Sequence, residues 1–151
     1  MTFALCNVFP RSLICEGACR LAADADSVWA VVGNIADCSL GEAFVDRVVV
    51  EGGNAPGTVR HLHVKGGIVV SERIEEYNAT DRYYVYRVID PGPLAFTHHL
   101  GMARVLPAGP RSCIASWITM AQPIESERAA VRALLQGNID AVLGSLQQRF
   151  G

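Results

Sequence analysis

The chain carries no basic stripe: its 13 Lys and Arg are scattered among 15 Asp and Glu, for a formal net charge of −2. Without such a stripe there is no electrostatic footprint for a polyanion, so no nucleic acid partner is expected. No apolar run approaches the ~20 residues that a membrane-crossing helix needs, so no membrane span is expected either. The opening Met1-Thr2-Phe3-Ala4-Leu5-Cys6 is apolar but has no basic flank in front of it, which makes it a poor secretory signal. A cytoplasmic protein is the expectation.

The sequence also lacks a disulfide framework. Its five cysteines, Cys6, Cys15, Cys19, Cys38 and Cys113, are odd in number and scattered. At 151 residues the chain is long enough to bury a sizeable core as one domain, which removes the need for such a framework. No CxxC pair suggests zinc, and metal is not expected. Small core residues are the ordinary use of such thiols. Internal repeats, low-complexity stretches, catalytic triads and cofactor motifs are missing as well, so no cofactor is expected. What is present is an ordinary globular composition, 50% hydrophobic and 19% charged.

Along the chain, Leu13–Leu21 reads as a strand, with Glu16 and Arg20 on one face and Cys15, Gly17, Cys19 and Leu21 on the other. Asp24 or Asp26 then caps a short helix whose apolar side is Val28, Val31, Val32 and Ile35. Residues 37–44 form a second short helix or a turn. Six strand-like runs follow, at 45–51, 57–65, 68–76, 82–89, 94–106 and 112–121, separated by Gly, Pro and Asn punctuation. Their close spacing predicts hairpins and an antiparallel meander. From 123 to 150 the period becomes helical, with Val131, Leu134, Leu135, Asn138, Val142 and Leu146 in one stripe. Gly137 and Gly144 interrupt that stripe and mark bends or places where the sheet comes close. One long amphipathic helix and one seven-stranded sheet must bury a face each, and wrapping the sheet around the helix does both. A sheet bent that strongly does not close on a single helix, so a cavity is expected between them.

This order and spacing resemble the START-related (SRPBCC) helix-grip superfamily, in particular its polyketide cyclase/dehydrase group. The resemblance spans about residues 14 to 150. Its marks are Ala25-Asp26-Ser27-Val28-Trp29, Gly57-Thr58-Val59-Arg60, Gly67, Ser71-Glu72-Arg73-Ile74, Tyr84-Val85-Tyr86 and Ile114-Ala115-Ser116-Trp117. It implies a single α+β helix-grip domain over 1–151. Relatives often carry a Trp-Pro-like pair after the first helices, where this chain reads Gly41-Glu42-Ala43-Phe44, which implies a different cavity entrance. The group includes ligand carriers, hormone receptors, cyclases and condensing enzymes, so the family does not name the function.

Alternation decides which side chains share a cavity. In similar proteins the Arg60 position points inward, which brings Thr58, Leu62 and Val64 with it and turns His61 and His63 away. Without a bulge, Val70, Glu72 and Ile74 face inward on the next strand, and Tyr84, Tyr86 and Val88 on the one after. By the same resemblance Trp117 points inward with Cys113, Ala115 and Thr119. His99, Gly101, Ala103 and Val105 do so on the strand before, where the two small residues leave room. Leu135, Asn138 and Val142 form the helical wall. Arg60 and Glu72, on adjacent strands, should pair, because a lone buried charge costs several kcal/mol. That pair is either a structural pin or a ligand grip, with Arg60 holding a carboxylate or carbonyl and Glu72 orienting it or a water. Tyr84 and Tyr86 bring phenols that need partners, Glu72 being the nearest in prospect. His61 and His63 read as a solvated pair without a third metal ligand. Gly66-Gly67 and Pro91-Gly92-Pro93 read as hairpin loops or as mobile covers of a cavity mouth.

The expected function is binding of a small hydrophobic ligand: a lipid, a polyketide-like aromatic or an isoprenoid. The alternative is a cyclase or dehydratase in which Glu72 or His99 moves a proton while Arg60 or a tyrosine steadies an enolate oxygen. A module read by a partner protein, and a homodimer, are compatible with the sequence.

Overall fold

The computed structural model describes residues 11–151, so the apolar opening and Cys6 lie outside the described residues. Strand β1 (Leu13–Leu21) alternates buried and exposed positions along most of its length. Helix α1 (Ala25–Val32) starts at Asp24, whose Oδ1 accepts from Ser27 N at 2.9 Å and whose Oδ2 accepts from Ser27 Oγ at 2.7 Å. The other capping candidate, Asp26, instead pairs with Arg82 across 2.6 Å. Residues 37–44 contain a single 3-10 turn, Ser39–Gly41.

Strands β2 (Val45–Glu51), β3 (Val59–Val64), β4 (Ile68–Asn78), β5 (Tyr83–Asp90), β6 (Phe96–Pro107) and β7 (Cys113–Pro123) form the meander, and β1 joins its far edge. The result is one antiparallel seven-stranded sheet in the order β1-β7-β6-β5-β4-β3-β2. Arg82, expected to open β5, lies instead in the preceding turn with φ of +53°. Helix α2 (Arg128–Phe150) runs unbroken for 23 residues against the concave side, resting on β1 and β7. The fold is thus the α+β helix-grip arrangement. No helix among the described residues is long and apolar enough to cross a membrane.

The helix corrects two expectations. Its buried line is Val131, Leu135, Ile139, Leu143 and Leu146, so Ile139 and Leu143 belong to the core, while Leu134, Asn138 and Val142 stand half-buried beside it. The sheet does not approach Gly137 or Gly144: a Cβ there would meet nothing within 4 Å, and neither glycine interrupts the helix. The close approach comes from the strand side. A Cβ on Gly17 of β1 would lie 2.8 Å from Leu143 Cδ1 and 3.1 Å from Ile139 Cγ2. The missing side chain lets α2 settle onto the β1 edge, and the Phe150 carbonyl accepts from Ala22 N at 3.2 Å to hold the helix end there.

The five buried helix side chains carry this packing, each contributing about 1.5–3 kcal/mol by burial. Leu146, with no exposed surface, is the most enclosed of them. Leu146→Ala is expected to lower unfolding free energy by about 2–5 kcal/mol. Gly137→Ala, on an open helical surface, should raise it by up to about 1 kcal/mol. Urea denaturation of the two variants checks both signs.

Candidate functional site

Because α2 lies toward β1 and β7, the concave face of β2–β5 is left uncovered, and a cavity of about 320 Å³ remains there. The ten residues singled out in the sequence all line it: Arg60 and Leu62 of β3, Glu72 of β4, Tyr84 and Tyr86 of β5, His99 of β6, Trp117 of β7, and Leu135, Asn138 and Val142 of α2. Of the wall at the cavity mouth, the sequence singled out only the Gly41-Glu42-Ala43-Phe44 stretch, as a different entrance, and Gly41 and Phe44 do line the cavity. Val31, Asn34, Asp37, Cys38, Leu40 and Phe44 come from α1 and the irregular segment after it, and Lys65 from the β3–β4 turn. That turn is clasped to the segment by Lys65 N donating to Phe44 O at 3.0 Å. The Pro91-Gly92-Pro93 loop is seated on β4, where a Cβ on Gly92 would lie 2.9 Å from Val69 O.

The inner end is built on Arg60 and Glu72, which face each other directly in the β3–β4 register. Nε and Nη2 of Arg60 both reach the same carboxylate oxygen, Oε2, at 2.7 Å. Their side chains are only 12% and 8% exposed. The guanidinium carbon also lies 5.5 Å from the Tyr84 ring centre and 5.2 Å from that of Tyr86, within cation–π range. Burial opposes the Arg60 charge, but the Glu72 carboxylate and the two phenols outweigh it and push the Arg60 pKa further above its ordinary value.

The tyrosines do not bond Glu72, contrary to expectation. Burial first, and the Glu72 charge second, raise the Tyr86 pKa well above its ordinary value, so the phenol stays protonated. The room expected at Gly101 is already filled. A Cβ there would come within 2.3 Å of the Tyr86 ring and 2.7 Å of its hydroxyl oxygen.

A bulge settles which of His98 and His99 faces inward. The β6–β7 register shifts between Thr97 and Leu100, and His98 takes φ of +52°. His98 is exposed, whereas His99 is 3% exposed. The described β5–β6 pairing stops at Tyr86↔Gly101, and beyond it Val88 N donates to His99 Nδ1 at 3.3 Å. Burial lowers the His99 pKa, with the neighbouring charges partly offsetting one another. The ring is therefore neutral near pH 7, and with Nδ1 accepting, its proton sits on Nε2. Thr119, on the same concave face, buries a hydroxyl that has no partner.

His61 and His63 lie on the other face, as alternation requires. His61 Nδ1 lies 2.7 Å from Ser71 Oγ and its Nε2 3.4 Å from Glu51, while His63 lies 3.4 Å from Arg47. Among the described residues no group of three His, Cys, Asp or Glu is placed to hold a metal. The cavity therefore ends in a nearly charge-neutral polar cluster surrounded by apolar walls, with a carboxylate oxygen, an imidazole N–H and hydroxyls available for hydrogen bonds.

The family model described as polyketide cyclase / dehydrase and lipid transport matches residues 16–151. No protein of curated function matches the sequence. Among solved structures, XoxI from Bacillus cereus is 22% identical with a TM-score of 0.81, over 91% of this chain and 94% of that one. A Thermobifida fusca protein is 24% identical with a TM-score of 0.80, over 91% and 93%. Norcoclaurine synthase from Thalictrum flavum, in complex with dopamine and hydroxybenzaldehyde, is 18% identical with a TM-score of 0.74, over 91% and 86%. At these identities the likeness is one of fold.

Arg60→Met leaves the Glu72 carboxylate buried and unpaired, and should cost about 3–5 kcal/mol of stability. The double variant Arg60→Met with Glu72→Leu should recover most of that loss in chemical denaturation. The depressed His99 pKa has a signed consequence as well. The unfolded chain takes up the proton more readily than the folded one. Its contribution is therefore complete above the ordinary imidazole value of about 6.5 and is lost as pH falls below it. Urea midpoints at pH 7.5 and 5 should converge in His99→Phe relative to the parent.

Proposed function

The chain belongs to the polyketide cyclase / dehydrase and lipid transport family, and from that footing we propose that it binds a small, neutral, mostly apolar molecule in the cavity beneath α2, with an oxygen of that molecule turned toward Arg60 and Glu72. The observation that carries this reading is the charge balance of the inner end. Arg60 spends two donors on one oxygen of Glu72 at 2.7 Å, and two phenol rings attend its guanidinium. A ligand carboxylate arriving there meets a cation already paired and the Glu72 charge beside it. A carbonyl or hydroxyl meets no such repulsion. The apolar remainder, from Leu62, Val70, Leu135 and Val142 with the Trp117 ring, supplies contact area.

One feature supports catalysis of the cyclase type as a second reading. Glu72 keeps Oε1 free of protein partners among the described residues and lines the same cavity as the His99 imidazole. In that reading Glu72 takes the proton, since His99 Nδ1 is occupied by Val88 and its other nitrogen already carries one. Arg60 and the phenols then face the developing oxyanion. Turnover of a poly-carbonyl substrate lost in Glu72→Gln supports this reading, and unchanged turnover removes it.

Binding itself is tested by extracting the purified protein with organic solvent and identifying released molecules by mass spectrometry, alongside titration with the neutral dye Nile red. A neutral small molecule in the extract, or dye binding that Val142→Trp abolishes without unfolding the protein, is the expected result. No released molecule and no dye binding to the parent protein contradicts it.

A further inference from the structure

The hydrogen-bonding groups at the inner end are unevenly matched. Thr119 is 4% exposed, lines the cavity, and its Oγ1 has no hydrogen-bond partner. Unpartnered buried hydroxyls are unusual, because such a group forfeits its bonds to water. His99 is equally enclosed and lines the same cavity. With Nδ1 taken by Val88 N, its Nε2–H has no acceptor among the described residues. The Tyr86 and Phe96 rings lie 5.5 and 5.8 Å from the imidazole, one ring-centre distance each, and hold its plane in place.

The two groups line one cavity from adjacent strands. The β6–β7 register pairs Gly101 with Thr119 and Leu100 with Met120, so His99 and Thr119 sit diagonally on adjacent strands. Diagonal neighbours on one sheet face are about 7–8 Å apart at the backbone, within reach of a long side chain. Between them stands Gly101, which has no side chain of its own and is covered by the Tyr86 ring, so that ring floors the space the two groups border.

We infer that His99 and Thr119 form a socket for a carbonyl oxygen, so that the ligand enters carbonyl end first and its oxygen accepts from Nε2–H and Oγ1–H. This rests on the binding reading above and narrows it to ketones, aldehydes, quinones and esters. An amine end brings mainly donors and leaves the imidazole N–H unmet. A hydrocarbon leaves both groups unmet.

The test uses the full chain and three matched probes: 2-acetylnaphthalene, the alcohol 1-(2-naphthyl)ethanol and the hydrocarbon 2-ethylnaphthalene. Affinities are measured by calorimetry, and the carbonyl stretch of bound, ¹³C-labelled ketone by difference infrared spectroscopy. The ketone should bind about tenfold or more tighter than the hydrocarbon, with its stretch below the value in hexane. Thr119→Val and His99→Phe should each cost the ketone about tenfold, return the stretch part of the way, and leave the hydrocarbon unchanged. Equal binding of ketone and hydrocarbon with an unshifted stretch overturns the socket while leaving the cavity reading intact. Failure of all three probes to bind overturns both. Thr119→Val preserves side-chain shape, so it remains informative if His99→Phe fails to fold.

Discussion

Taking a guanidinium out of water costs several kcal/mol unless an opposite charge and hydrogen bonds go with it, and the concave face of this sheet meets that constraint at one place. Arg60 and Glu72 stand opposite each other on β3 and β4, joined at 2.7 Å. Much of the interior follows from this. A one-residue slip of β3 would bring His61 and His63 inside and strand Glu72 without its partner, so the pair helps fix the register. The phenol rings of Tyr84 and Tyr86 gather around the cation, and Tyr86 in turn lies across Gly101. The interior that results is polar at one end yet nearly neutral, which sets the kind of molecule it can hold.

The second constraint is geometric. One helix cannot cover the whole concave side of seven strands, and a single glycine decides which part it covers. Gly17 admits Ile139 and Leu143 against β1, drawing α2 to that edge. The uncovered space over β2–β5 is then walled by the irregular segment after α1 and by the half-buried flank of α2. The cavity is therefore a consequence of off-centre packing rather than of deleted side chains. Of the two small residues read as spare volume, Gly101 lies under an aromatic ring and Ala103 is buried in the core without lining the cavity.

The fold was legible because its signals are local: period-two runs broken by Gly and Pro, then one long stretch of helical period. The inward set was legible from the family resemblance together with alternation. The resemblance placed Arg60 and Trp117 inside, and alternation then carried Leu62, Glu72, Tyr84 and Tyr86 with Arg60. Periodicity could not supply the departures from itself. The helix stripe was read through Leu134, Asn138 and Val142, whereas the buried line runs through Ile139 and Leu143, because the rotation of α2 is set by the contour of β1. The bulge at His98 and the end of the β5–β6 ladder, which together give His99 its backbone partner, have no sequence signature of their own. The Gly41-Glu42-Ala43-Phe44 stretch was read as an altered entrance, but Asn34, Asp37, Cys38 and Leu40 were missed because that segment has no period to read, and the unmet hydroxyl of Thr119 emerges only when every neighbour is in place.

Membership of the polyketide cyclase / dehydrase and lipid transport family sets the broad type of site, a cavity between sheet and helix, and leaves its occupant to local chemistry. The central claim is that Arg60 is already satisfied, so the cavity selects neutral molecules. Its most direct test is calorimetric titration of the purified protein at pH 7.5 with 2-naphthoate and, separately, with methyl 2-naphthoate, which share one ring system and differ in charge. The account predicts that the ester binds and the carboxylate binds at least about tenfold more weakly. Tighter binding of the carboxylate would show that Arg60 gives up Glu72 for a ligand anion, and would contradict it.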